Sequence, residues 1–237
     1  AEKQGVRVFT PAEKIIRMID RLACTMTLRN GGIPMPETVV TEDPGAAAET
    51  VQRFGAAVFK PLYSTKARGM TVIESGLSQQ QLQQFIDAFG ARYDGDPDSD
   101  RGLLDVAYAE AMRELHNRYP ADLDAATLYA EAVMDLRPWN YWTRDKQPYP
   151  ETREVLRVLD SVLKRNPNHP GAIHLYIHAV EYARPELAEA GAERLRTLAP
   201  GAGHLVHMPS HIFRRIGRYA DASKSNEDAV AADEDYI

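Results

Sequence analysis

Apolar residues recur with a period near 3.6 through most of the chain after residue 77. In "LSQQQLQQFIDAFGARY", Leu82, Phe85, Ile86 and Phe89 share one helical face, with Ser78 placed to cap it. Seven further stretches read as helices: "SDRGLLDVAYAEAMRELHNRYP", "ADLDAATLYAEAVMDLR", "ETREVLRVLDSVLKRNP", "NHPGAIHLYIHAVEYA", "RPELAEAGAERLRTLAP", "GAGHLVHMPSHIFRRIG" and "RYADASKSNEDAVAADEDY". Residues 1–77 read differently, as α/β. "PAEKIIRMIDRLACTMTLRNGG" is a helix stopped by Gly31 and Gly32. "DPGAAAETVQRFG" is a second helix, with Asp43 as N-cap, Pro44 at its first position and Gly55 at its end. "AAVFKPLY" and "MTVIE" are short strands around the loop "STKARG".

The helices after residue 77 come in pairs, and the pairs have a period. Prolines that end helices fall at Pro120, Pro167 and Pro200, 47 and 33 residues apart. The long first interval is supplied by "PWNYWTRDKQPYP", an aromatic loop that reads equally as a lid over a groove or a plug in the core. Small residues recur as well: Ala172, Ala179, Ala188 and Ala192, then Ser210, Gly217, Ala222 and Ala229, where paired helices need close approach. A helix-pair period near 34 residues resembles the tetratricopeptide (TPR) repeat. The run "HPGAIHLYIHAVE … PGAGHLVHMPSHIF" resembles a TPR-type family. That resemblance implies a binding scaffold that takes a protein or peptide on its concave face. The expected fold is therefore mainly α: a TPR-like helical-hairpin array over 78–237, preceded by a small α/β segment over 1–77.

Charge supports the division. The formal charge is −6. Residues 1–77 carry ten Lys/Arg against eight Asp/Glu, and the remainder 18 against 26. An acidic second part argues against nucleic acid as a partner. No run of 18 apolar residues is present, so no membrane span is expected. The start "AEKQGVRVFT" has no apolar stretch of a signal peptide. The lone Cys24 fits a reducing, cytoplasmic setting and reads as a buried, inert thiol.

In the first segment, "GIPMPET", a helix and "VFKPLYSTKARGM" follow an Asp–Arg pair at the head of a helix. That order resembles the ATP-grasp superfamily in its glutamate-ligase-like branch, from about Arg7 to Glu74. The resemblance implies ATP with Mg²⁺ as cofactor. It implies Lys60 at the adenine or α-phosphate, and Ser64, Thr65, Lys66, Arg68 and Gly69 over the β- and γ-phosphates. Arg21 stands where the family more often has a nucleotide-contacting Lys, and Arg is a different donor. Nothing after Glu74 resembles the half of the family that holds Mg²⁺, so the expected domain is incomplete. A ligase reaction joining a carboxylate to an amine would need that half from elsewhere.

All seven histidines lie after residue 115. His174, His178 and Glu181 occupy i, i+4 and i+7 of one predicted helix; His204, His207 and His211 occupy i, i+3 and i+7 of the equivalent helix one repeat on. Packed helices lie about 8–10 Å apart, close enough for these groups to converge. Three readings stay open: a site for Zn²⁺ or another divalent transition ion, with or without a metal-assisted activity; a polar groove for a peptide or small acid; or plain packing. Pro209 either kinks the second helix or starts it. His116, late in its helix, is placed where a cation favours the dipole; His169, in a turn, carries no expected role.

Overall fold

The computed structural model describes residues 21–33, 36–41, 43–59, 71–74, 79–92 and 99–234. The protein is mainly helical and divides into two compact units, Ala1–Asp87 and Ala88–Ile237.

In the first unit, helix α1 (Arg21–Asn30) ends at the glycine pair. The Gly31 N–H bonds to the Thr27 carbonyl, and Gly32 takes a left-handed φ of 76° that turns the chain away. Helix α2 (Pro44–Phe54) has the expected punctuation. Asp43 accepts from the N–H groups of Gly45 and Ala46, Pro44 opens the first turn, and Gly55 at φ 79° closes the helix. Its buried face, Ala47, Ala48 and Val51, belongs to a helix packed on a two-stranded hairpin. Strand β1 (Ala56–Phe59) pairs antiparallel with β2 (Thr71–Glu74), from Ala56 opposite Glu74 to Phe59 opposite Thr71. The expected phosphate-covering loop joins these strands and lies outside the described residues, as do Lys60, Ser64, Thr65, Lys66, Arg68 and Gly69. Arg21 opens α1, but its side chain and that of Cys24 also lie outside the described set.

Helix α3 (Gln79–Gly90) carries the boundary between the units. The second unit is a succession of helices: α4 (Arg101–Arg118), α5 (Leu123–Asp135), α6 (Pro150–Arg165), α7 (Pro170–Val180), α8 (Glu189–Leu198), α9 (Gly203–His207), α10 (Pro209–Arg215) and α11 (Tyr219–Glu234). From α4 to α11 each helix packs against the next, and α7 also touches α5 and α10. Local signals set the helix starts: the N-cap carboxylates Asp100 and Asp122 start α4 and α5, and Pro150 and Pro170 open α6 and α7. Ala172, Ala179, Ala188, Ala192, Ser210, Ala222 and Ala229 are all buried, as close helix approach requires. Gly217 has another function. It is exposed at φ 84°, a left-handed turn between α10 and α11 that favours glycine. Two predicted helices are also shorter than their patterns. "RPELAEAG…" begins with a 3-10 turn at Pro185–Ala188, and the helix expected over 201–217 is broken at Met208.

One polar cluster lies inside the second unit. The guanidinium of Arg92 sits over the Tyr108 ring, 5.0 Å from its centroid, and pairs with Asp105 at 3.8 Å, Glu131 at 3.7 Å and Asp135. The Tyr108 hydroxyl donates to Glu131 at 3.1 Å. Asp105 is paired more closely with Arg101, at 3.1 Å, which leaves Arg92 chiefly to Glu131 and Asp135, so ionising both of these is costly. Burial first, and then the charge of Asp135, push Glu131 up to about 7 against the pull of Arg92.

A raised carboxyl binds its proton more tightly folded than unfolded. Its stabilising effect is complete below about pH 4.3 and is lost as pH rises through about 7. Glu131→Gln, which holds the neutral state, should therefore raise the melting temperature at pH 8 and leave it nearly unchanged at pH 4. Thermal unfolding at the two pH values checks this; a drop at pH 8 with little change at pH 4 would show that the charged form is favourable.

Candidate metal centre

Five imidazoles form a closed ring in the second unit. His174 and His178 project from one face of α7, four residues apart. His204 and His207 come from α9, and His211 from α10. Ring centroids follow one another at 5.0 Å (His174–His178), 5.4 Å (His178–His211), 4.9 Å (His211–His207), 6.3 Å (His207–His204) and 5.0 Å (His204–His174). The contact between α7 and α10 makes this closure possible.

Nitrogen atoms meet at two places. His174 and His204 bring their Nε2 atoms to 3.2 Å; His207 and His211 bring theirs to 3.0 Å. Two nitrogens on one tetrahedral ion, each at about 2.0–2.1 Å, lie roughly 3.3 Å apart. The observed spacings are near that value. His174, His178 and His204 each have a ligand atom within 4.8 Å of the others, and so do His178, Glu181 and His211.

Glu181, the residue that closes α7, ties the ring together. Its Oε1 lies 3.3 Å from His178 Nδ1 and its Oε2 2.7 Å from His211 Nδ1. Burial alone pushes this carboxyl up, but the hydrogen bonds from His178 and His211, with their charge, outweigh it and bring it down to about 2. His174 is lowered too, which for an imidazole favours the neutral form. Burial, followed by repulsion from His178, His204 and His211, lowers it to about 3. Burial and its neighbours lower His204 also. Neutral imidazole is the form that ligates a metal.

Pro209 realises both of its alternatives in part. α9 ends after His207, and α10 begins with Pro209 at its first position. His207 and His211 therefore meet across a helix break. Asn226 on α11 was not singled out from sequence, yet its Oδ1 lies 2.6 Å from His207 Nδ1. Its one signal was a polar residue in the helix that pairs with "HLVHMPSH".

The aromatic loop divides between its two alternatives. Trp142 anchors it, donating its indole N–H to the Ala179 carbonyl of α7 at 2.6 Å. Thr152 Oγ1 donates to the Tyr141 carbonyl, and Arg137 covers the Tyr149 ring at 4.2 Å. Trp139 stands at the rim: it is 61% exposed, has a left-handed φ of 63°, and sets its ring edge-on to His178 at 5.1 Å. Such backbone strain in a bulky residue is costly and concentrates at functional sites.

No family model matches the chain, and no solved structure matches it. A stretch of 75 residues is 31% identical to tetrahydromethanopterin:alpha-L-glutamate ligase of Methanosarcina acetivorans, covering 32% of this chain and 23% of that relative. The chain thus spans less than a quarter of the curated relative's length. The match supports the ATP-grasp resemblance of one segment. Among the described residues, no helix is long and apolar enough to cross a membrane.

The two remaining histidines are structural. His116 stacks on Tyr129 at 5.5 Å, and burial, then the Arg157 guanidinium, lowers its pKa. That favours the neutral ring, so its place late in α4 does not make it a helix-end cation. His169 is the N-cap of α7: its Nδ1 accepts from the Ala172 N–H at 3.1 Å, while Nε2 meets Asp124 at 3.0 Å. His169→Ala should cost about 1 kcal/mol in chemical denaturation, with most of it restored in His169→Asn. Equal losses in the two variants would show that the Asp124 contact, not the cap, matters.

Proposed function

We propose that the chain is a TPR-like binding scaffold that holds a divalent transition metal in its histidine ring, joined to an ATP-grasp-like nucleotide-binding segment. One observation carries the metal reading: two pairs of imidazole Nε2 atoms face each other at 3.0 and 3.2 Å. A polar groove for a peptide gains nothing from crowding imidazole nitrogens onto one another. Packing alone would hold each pair by one N–H···N hydrogen bond, one ring donating and the other accepting; a metal takes the place of that proton. The TPR-like reading is supported by the sequential packing of α4 to α11, by the extra contacts of α7 with α5 and α10, and by the buried small residues between helices. Zn²⁺ suits an all-imidazole set with a carboxylate behind it. A protein or peptide partner would meet the same region at Trp139, the exposed aromatic beside His178.

The test is metal analysis of the full chain, stripped with chelator, exposed to Zn²⁺ and desalted. The wild type should retain zinc, and His178→Ala and His207→Ala should each retain less. No retained zinc, or equal retention in all three proteins, would overturn the reading.

A second reading is favoured by the match to a glutamate ligase: an ATP-dependent carboxylate–amine ligase, completed by sequence or a chain beyond this one. Incubation with ATP, Mg²⁺ and glutamate separates the two. The scaffold reading expects no phosphate release above background. Release that disappears in Lys60→Ala would put the ligase in its place.

A further inference from the structure

The ligand atoms do not gather about one point. They fall into two groups, His174 with His178 and His204, and His178 with Glu181 and His211, each with its atoms within 4.8 Å of one another. The close approaches are pairwise instead, His174 with His204 and His207 with His211.

The second pair is constrained further. His211 Nδ1 lies 2.7 Å from Glu181 Oε2, the length of a charge-assisted N–H···O bond. That is shorter than the spacing of two donors on one ion, so the carboxylate accepts the Nδ1–H and does not share a metal with it. His207 Nδ1 likewise meets Asn226 Oδ1 at 2.6 Å. Ser210 Oγ lies 3.4 Å from the same Nδ1. With the Asn226 amide oxygen facing His207, as it does here, both Nδ1 atoms donate and both Nε2 atoms, 3.0 Å apart, present lone pairs. Two lone pairs at that distance repel unless a cation lies between them.

We infer that the ring is two metal subsites: one formed by His174, His204 and His178, and a second in which His207 and His211 bind a divalent transition ion through Nε2. Asn226 and Glu181 are positioning residues of the second subsite, fixing the tautomers of its two ligands. Glu181 serves both subsites, because its other oxygen faces His178 Nδ1 at 3.3 Å. An ion held by two imidazoles keeps open positions for water or an anionic group. This inference rests on the metal reading above and goes beyond it in stoichiometry and in the part given to Asn226.

The experiment is calorimetric titration of Zn²⁺ into the chelator-stripped full chain. The wild type should bind two equivalents, and the double variant His207→Ala/His211→Ala should keep one. Asn226 is exposed, so its replacement tests the second subsite without opening the core. Asn226→Leu should weaken one of the two equivalents by about 10–100-fold, and Asn226→Asp, an obligate acceptor, should restore it. One equivalent in the wild type would overturn the two-subsite inference while leaving the metal reading intact, with a proton as the cation between His207 and His211. Two equivalents that Asn226→Leu leaves unchanged would overturn the role of Asn226. No binding at all would remove the metal reading and this inference with it.

Discussion

Close helix approach is the constraint on which the rest of the second unit depends. Five imidazoles meet only because the helices that carry them present alanine and glycine to their neighbours. Ala172 and Ala179 on α7 and Ala192 on α8 are almost wholly buried. A Cβ at Gly191 would already stand 3.2 Å from the Ile173 side chain. Larger residues at these places would part the helices, and overpacking of that kind typically costs about 1–3 kcal/mol. The apolar anchors Ile173, Ile177, Leu195, Ile212 and Phe213, all nearly inaccessible, then hold the helices at that spacing. Histidine crowding is thus a consequence of how the other faces of the same helices pack.

Polar groups gathered this way need partners, and the second unit handles its two gatherings differently. Around Arg92, with Asp105 paired more closely with Arg101, burial and the charge of Asp135 raise Glu131 and favour its neutral form. In the histidine ring the single carboxylate has partners on both oxygens and stays ionised, while the imidazole most enclosed by its neighbours, His174, stays neutral. The first arrangement consumes its charges internally. The second brings imidazole nitrogens face to face.

Much of this was legible in the sequence, for physical reasons. Asp43, Pro44 and Gly55 mark α2 because each has one favourable place at a helix end. The strands around residues 60–70 follow from β-branched and aromatic residues flanked by breakers. The convergence of His174, His178, Glu181, His204, His207 and His211 was expected from helical spacing and an assumed repeat period, but the second of the two expected helices is broken at Met208. What was not legible depends on contacts between elements distant in sequence. Asn226 is one polar residue among many on α11 until α9 is laid against it. His169 looked like a turn residue, because imidazole is an unusual N-cap and its acceptor role needs Asp124, 45 residues earlier, to hold the other nitrogen. Gly217 fits the small-residue pattern by position, yet its left-handed backbone gives it a different task. The nucleotide-binding residues expected around the hairpin rest on resemblance, supported by a match to part of one glutamate ligase.

The break at Pro209 has a mechanical consequence. Proline has no N–H, so the Leu205 carbonyl loses its usual partner in the next turn. The Met208 N–H still reaches His204, and the His211 N–H reaches Met208, but the backbone ladder between α9 and α10 is missing a rung. His207 and His211 sit on opposite sides of that gap, and His207 reaches across to α11 through Asn226. A cation bound by both imidazoles, as proposed above, would act as a splint over a weakened joint and would set how stiffly the last three helices move as one body.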